Sequence, residues 1–270
     1  MIRNLRCPAK VNTFLSVGQP DASGYHPIRS IFQAVGLYDT LTITSGVAQT
    51  EILCDWRGLP ERNTLSKTLQ LVRELVDVPP LRIELRKGIP VESGLGGGSS
   101  DAAGLLRALP QFVGELPWGH ATMVAEAVGA DVPFFLVGGR ARAEGYGEKL
   151  TALENVPREW LVIVKPDVGV SSAQAYGQLD AKPREWRAFP VDDRELYNDF
   201  ERVAPCACLE IVDRMLGLGA DGALLSGSGS AVFGRFATEE EARKVAMHMA
   251  GAGNVFVAPT LSREESLWMS

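Results

Sequence analysis

Pro90-Val91-Glu92-Ser93-Gly94-Leu95-Gly96-Gly97-Gly98-Ser99-Ser100 is the segment whose residue types are best suited to chemistry. Its glycines let the backbone turn and approach a ligand with no side chain in the way. Their N–H groups can converge on anionic oxygens. An Ala-rich helix is predicted next, from about Ser100 to Leu109, and its first turn adds unpaired amides and the positive end of a helix dipole. Ser99 and Ser100 supply hydroxyls able to cap that helix, touch phosphate or reach a magnesium ion. A flexible connector with a serine cap has the same composition. Placement directly ahead of a helix favours a phosphate cradle, of the kind an ATP-dependent kinase uses.

Two familiar nucleotide motifs do not fit. A Walker loop needs Lys after its last glycine, and no lysine occurs between Lys87 and Lys149. The dinucleotide fingerprint needs a glycine three residues beyond Gly96, where Ser99 stands. The literal G-x-G-x-x-G from Gly217 to Gly222 follows a predicted helix and precedes a strand. That context is reversed, so it reads as a turn.

Composition narrows the partners. The 27 basic and 33 acidic residues of the 270-residue chain give a net charge of −6. That balance disfavours a nucleic-acid partner, which needs a basic face, but leaves an anionic small molecule open. Cys7, Cys54, Cys206 and Cys208 form no C-x-x-C pair and the chain has only 3 histidines. Free thiols and no protein metal site are expected. No apolar run approaches the ~18 residues that span a membrane, and Met1 to Lys10 lacks a secretory pattern. A cytoplasmic protein with no membrane partner is expected, as a monomer or weak homodimer.

The elements that position the loop follow from periodicity. Val11–Val17 and Leu37–Thr44 read as strands. Asn63 is placed to cap a helix with Leu65, Leu69, Val72 and Val76 on one face. Leu81, Ile83 and Leu85 alternate with charged residues, which predicts a half-buried strand ending at Lys87-Gly88. A helix near Ala121–Val128 should stop at Gly129 as a left-handed C-cap. Val132–Leu136 and Gly139–Glu144 read as strands. A change of pattern near Leu153 to Arg158 predicts a boundary, with domains at 1–155 and 156–270. Beyond it come a strand at Trp160–Lys165, a helix capped by Ser171 or Ser172, and a helix ending near Leu216. Strands at Ala223–Leu225 and Ala231–Phe236, a helix opened by a Thr238/Glu241 capping box and a strand at Val255–Val257 complete the chain. Helices and strands mix without strict βαβ alternation, which predicts two α+β domains.

Several motifs together resemble the GHMP kinases, the family of galactokinase and of homoserine, mevalonate and phosphomevalonate kinases. They are Pro8-Ala-Lys-Val-Asn12, Gly24-Tyr25-His26, Gly94 to Ala103, Gly129-Ala-Asp131-Val-Pro-Phe-Phe135, Asn198-Asp-Phe200 and Leu225-Ser-Gly-Ser-Gly-Ser230. The resemblance runs over nearly the whole chain. It implies an N-terminal domain like the second domain of ribosomal protein S5, a ferredoxin-like C-terminal domain and an active site between them. It implies ATP as co-substrate with Mg²⁺. Pro-Ala-Lys-x-Asn, Gly-Tyr-His and Gly-Ala-Asp-Val-Pro-Phe-Phe are similar to the branch that phosphorylates the 2-hydroxyl of a cytidyl-diphosphate-bearing methylerythritol in non-mevalonate isoprenoid synthesis.

Residue roles then follow as implications of the resemblance. By spacing alone, Asp131 is an ordinary turn residue after Gly129; the resemblance makes it the general base. Lys10 becomes a remote cation near Asp131 and the transferred group, replacing the absent loop lysine. Asn12, two residues along the same strand face, could hydrogen-bond the alcohol. Tyr25 and His26 would contact the cytidine, with Tyr176 as a second stacking candidate. Ser226 to Ser230 would form a second glycine turn facing the first. His120 and His248 read as surface or helix-flank residues. Three departures from the family pattern stand out: Thr13 for the usual Leu, Ser23 for Asp, and the pair Glu92-Ser93 where small neutral residues are typical. A carboxylate there would repel phosphate, so Glu92 is expected to point away. A GHMP kinase for mevalonate or homoserine is the alternative within the family. A non-catalytic binding module on an S5-like fold is the alternative outside it.

Overall fold

The computed structural model describes residues 1–268. In chain order its elements are β1 (Ile2–Val17), β2 (Ile28–Ser45), β3 (Glu51–Cys54), α1 (Thr64–Arg73), β4 (Leu81–Arg86), α2 (Gly97–Ala108), α3 (Pro110–Val113), α4 (Trp118–Val128), α5 (Val132–Val137), β5 (Arg140–Glu144), β6 (Lys149–Ala152), β7 (Trp160–Lys165), α6 (Ser172–Asp180), β8 (Tyr197–Asn198), α7 (Cys206–Gly217), β9 (Gly222–Leu225), β10 (Val232–Phe236), α8 (Glu239–His248), β11 (Asn254–Pro259) and α9 (Arg263–Leu267). A short 3₁₀ turn, Asp199–Val203, follows β8.

Two sheets organise the chain. The first runs β3-β4-β2-β1-β8, with β5 and β6 continuing from β2; the second runs β11-β7-β10-β9. Leu5, Cys7, Ala9, Val11, Leu15 and Val17 of β1 would share one face at a strict period of two, and breaks in its ladder with β2 redirect the middle pair. Leu5, Cys7, Leu15 and Val17 of β1 join the helix-covered core, whereas Ala9 and Val11 join a second apolar layer. That layer also holds Ile89 and Leu95 from the first half and Leu161, Ile163, Leu224 and Phe233 from the second. The two sheets thus bury surface against each other around the middle of β1. β8 pairs in parallel with β1, so the later half of the chain supplies a strand to the earlier sheet.

The β1–β2 ladder is interrupted twice, between Pro8 and Ala9 and between Asn12 and Phe14. Such irregularities re-aim side chains, and these two bracket Lys10 and Asn12. Ser66 N donates to Asn63 Oδ1 at 3.0 Å, capping α1 as expected. Thr238 and Glu241 form the predicted capping box of α8.

Three local expectations are corrected. Val132–Leu136 is the helix α5, not a strand. A four-to-six-residue apolar run fits either state, and Pro133 in the first turn suits a helix start. Successive Phe134 and Phe135 are both buried, Phe134 meeting Phe32 edge-on at 5.1 Å and Phe135 at 5.2 Å. Gly129 is extended (φ 178°), so α4 does not end in a left-handed cap. Val255–Val257 lies within β11 but is followed by α9, whose Ser262/Glu265 capping box the strand reading overlooked.

Candidate active site

The phosphate loop is stitched to both halves of the chain. Gly96 is the N-cap of α2 in the left-handed region, φ 74°. Ser100 N donates to Gly96 O at 2.9 Å, so the N–H groups of Gly97, Gly98 and Ser99 lie ahead of the first helical bond. Gly94 has φ 77°, and a Cβ there would sit 2.2 Å from Ser226 O. Ser226 Oγ donates to Gly94 O at 3.2 Å and Ala231 N to Ser93 O at 3.0 Å. Lys10 N donates to Leu95 O at 2.9 Å, and Thr64 Oγ1 to Gly98 O at 2.7 Å. A cavity of about 290 Å³ opens beside the loop, bordered by Pro90 to Gly94, Gly96 to Ser99, Trp56 and Asn63. Leu95 and Ser100 are buried behind it. Glu92 borders the cavity with φ 50°, and its Oε2 lies 4.0 Å from where a Cβ on Gly169 would be.

Lys10 and Asp131 meet at the inner end of this loop. Lys10 is 3% exposed. Its ammonium donates to Asn12 Oδ1 at 2.6 Å, lies 3.3 Å from Asp131 Oδ2 and sits 5.1 Å over the Phe32 ring. Asn12 Nδ2 donates to Ser30 Oγ at 2.9 Å, and that hydroxyl to Phe14 O at 2.7 Å. Asn12 is therefore buried and engaged at both polar ends, with one amide hydrogen to spare. Asp131 precedes α5 and makes no capping bond, which leaves its half-exposed carboxylate to Lys10.

A second charged cluster, not singled out by sequence, lies under the loop. Lys87 Nζ pairs with Asp39 and, at 3.3 Å, with Asp101 Oδ2. Asp39 Oδ1 accepts from Gly88 N at 2.7 Å and Ile89 N at 2.8 Å. Burial opposes the charge on Lys87, but Asp101 and Asp39 outweigh it and raise its pKa. Burial, then repulsion from Asp39, pushes Asp101 well above the ordinary carboxylate range, against the pull of Lys87. The two loop ends, Gly88–Ile89 and the first turns of α2, are thus clamped through one ammonium. A charged residue in the apolar company of Leu37 to Leu41 was the available signal, at Asp39.

The Tyr25, His26 and Tyr176 side chains converge on a cavity of about 820 Å³ that also touches Gly129, Ala130 and Tyr146. His26 stacks on Tyr176 at 4.8 Å, and Tyr176 meets Phe200 edge-on at 4.9 Å. Burial, then the negative charge of Asp131, pushes the Tyr176 phenol up to about 12. Ala130, the residue before Asp131 in the chain, borders this cavity. Tyr25 is 67% exposed at the rim, 5.6 Å from Tyr146. Ser23 and Tyr146 both donate to Asp21, each at 2.5 Å, so the serine before Gly24-Tyr25-His26 braces that turn. Asn198 Nδ2 donates to Leu225 O and Gly227 O, both at 2.8 Å, and holds the second glycine turn in place. His120 and His248 lie on α4 and α8, away from this cavity. Among the described residues no group of three or more His, Cys, Asp or Glu could hold a metal, and no helix is long and apolar enough to cross a membrane.

Comparison with known proteins finds relatives over nearly the whole chain. The family models "GHMP kinases N terminal domain" and "GHMP kinases C terminal" match residues 63–139 and 208–255. A Geobacter metallireducens protein named 4-diphosphocytidyl-2-C-methyl-D-erythritol kinase is 40% identical over 270 residues, covering 94% of this chain and 96% of its own. The Desulfitobacterium hafniense protein of the same name is 36% identical, covering 91% and 92%. A crystal structure of 4-(cytidine 5'-diphospho)-2C-methyl-D-erythritol kinase superposes with TM-score 0.82 at 32% identity, over 96% of this chain and 99% of that one. Homoserine kinase from Cytophaga hutchinsonii shares the fold, with TM-score 0.71 at 19% identity over 97% and 95% of the two chains.

Proposed function

The chain belongs to the GHMP kinase family, and from that premise we propose how its site works. It is an ATP-dependent phosphotransferase acting on an alcohol. It phosphorylates the 2-hydroxyl of 4-diphosphocytidyl-2-C-methyl-D-erythritol in non-mevalonate isoprenoid synthesis. The observation that carries the substrate is the cavity of about 820 Å³ between Tyr25-His26 and Tyr176. It can take a base at its aromatic end while the alcohol lies toward Asp131. Mevalonate or homoserine would leave most of that space empty.

In the mechanism we propose, ATP lies along Pro90 to Ser100 with its phosphates on the amides that open α2. Asp131 accepts the proton of the 2-hydroxyl as the oxygen attacks the γ-phosphorus. The bond from that phosphorus to the β–γ bridging oxygen breaks, and ADP leaves. Lys10 has three hydrogens; Asn12 and Asp131 take two directions, and the third is free for the developing charge on the phosphoryl group. Asn12 then serves mainly to aim Lys10, with its spare amide hydrogen available to the alcohol. A magnesium ion brought in on ATP would offset phosphate charge. Ser99 borders the loop cavity and would offer such an ion its hydroxyl, whereas Ser100 Oγ is buried behind the cavity without a hydrogen-bond partner. We also propose the domain division at 155/156, in the connection between β6 and β7, and action in the cytoplasm without a nucleic-acid or membrane partner, as a monomer or weak homodimer.

The test is phosphate transfer from ATP and Mg²⁺ by the purified chain to the cytidyl compound, mevalonate and homoserine. Turnover of the cytidyl compound alone is expected. Turnover of mevalonate or homoserine without it would overturn the substrate assignment.

A further inference from the structure

Arg184 belongs to none of the sequence motifs, yet its side chain is only 1% exposed. Its guanidinium donates from Nε to Val17 O at 2.9 Å, from Nη1 to Leu179 O at 2.7 Å, and from Nη2 to Gly18 O at 2.9 Å and Asp180 Oδ1 at 3.0 Å. Val17 ends β1 and Gly18 opens the loop that carries Tyr25 and His26. Leu179 and Asp180 end α6, which carries Tyr176. One planar fork fastens the two walls of the large cavity together.

Asp180 passes this order to the histidine. Its Oδ1 is 2.8 Å from His26 Nε2. Burial works against the charge on Asp180, but the bonds from His26 and Arg184 outweigh it and hold its pKa below the ordinary value. An ionised carboxylate only accepts. Neutral His26 therefore carries its hydrogen on Nε2. Its Nδ1, which has no partner among the described residues, keeps a lone pair on a ring that lines the cavity.

We propose that Arg184 and Asp180 are positioning residues that fix His26 as a hydrogen-bond acceptor, so that the site selects a base bearing an amino group. Cytosine offers that donor. Uracil places a carbonyl at the same point, and two lone pairs would face each other. The inference rests on the proposed reading of this cavity as the cytidine pocket.

The experiment measures kcat and KM with ATP for the cytidyl substrate and its uridyl counterpart, using the full chain and four variants. The unsubstituted protein should prefer the cytidyl compound by about 100-fold or more in kcat/KM. Asp180→Ala should raise the cytidyl KM about tenfold and cut the preference about tenfold. Its kcat and its KM for ATP should stay within about twofold, a split that a general loss of structure would not give. Asp180→Asn should recover part of the preference, because its amide oxygen still accepts. Arg184→Lys keeps the charge without the fork and should lower the preference as Asp180→Ala does. If His26→Ala abolishes the preference while Asp180→Ala and Arg184→Lys leave it whole, the positioning proposal fails alone. If His26→Ala itself leaves the preference whole, the reading of the cavity as a base pocket fails with it.

Discussion

Asp131→Asn separates chemistry from architecture at the proposed centre. The substitution removes a carboxylate 3.3 Å from the Lys10 ammonium but keeps an oxygen at the same place. Lys10 retains Asn12 Oδ1 at 2.6 Å and the Phe32 ring at 5.1 Å. The carboxylate is 32% exposed, so water screens much of the pair, although Lys10 itself is buried. A loss of about 1–2 kcal/mol of stability is expected, between the values for surface and buried pairs. In a chain of this size that lowers Tm by about 2–6 °C. Loss of a general base costs about 10²- to 10⁴-fold in kcat, equal to about 3–5 kcal/mol of barrier. The assay is coupled ADP release under saturating substrates, alongside calorimetric melting. A kcat within tenfold of the unsubstituted protein would remove Asp131 from the base role. A Tm drop far beyond 6 °C with little change in kcat per folded molecule would make the pair a structural one.

Three further outcomes follow from the loop and the cluster beneath it. Gly94→Ala forces a side chain into φ 77° with its Cβ 2.2 Å from Ser226 O. Strain of about 1–2 kcal/mol and the loss of one or two hydrogen bonds at about 1 kcal/mol each should weaken ATP binding at least tenfold by calorimetry, and unchanged affinity would count against the loop-to-loop contact. Lys87→Met leaves the Asp39 and Asp101 carboxylates buried without their cation, which should cost about 3–5 kcal/mol and lower Tm by about 10 °C; a melt within 2 °C would show that the cluster clamps nothing. Asp101 has a raised pKa in the folded chain, so the native state holds a proton that the unfolded state releases, and stability falls as pH rises from the ordinary carboxylate range through the raised value. Asp101→Asn removes that fall, so its Tm advantage should grow from pH 5 to pH 8, and a flat or shrinking difference would refute the direction.

What the sequence made legible is what short-range chemistry decides. Asn63, Thr238 and the alternation of Leu81, Ile83 and Leu85 each declare an element through neighbours a few residues away, and each element is present. The glycine loop was legible for the same reason. α5 was not, because Val-Pro-Phe-Phe-Leu carries no period long enough to separate helix from strand, and packing against Phe32 decides the matter. The lengths of β1 and β2 were underestimated because the missed stretches carry polar residues, among them Lys10, Ser30 and Gln33, that the fold buries. Arg184 and Asp180 gave no local sign, since their partners at Val17, Gly18 and His26 are more than 150 residues away.

The missing loop lysine is where these two kinds of information meet. A phosphate cradle built only of amides and hydroxyls supplies partial charges, and a leaving ADP needs more. In the proposed site two lysines, one on β1 and one just after β4, stand in for one in the loop. Lys87 follows β4 and is held between Asp39 and Asp101, so its charge is largely neutralised and it ties together both ends of the loop. Lys10 shares its ammonium with one carboxylate and a neutral amide, which leaves it freer to meet an incoming phosphate. The backbone bond from Lys10 N to Leu95 O ties the main chain of that lysine to the loop. The proposed cradle, cation and base are therefore linked by direct contacts, although they come from β1, the segment before α2, and the residue before α5.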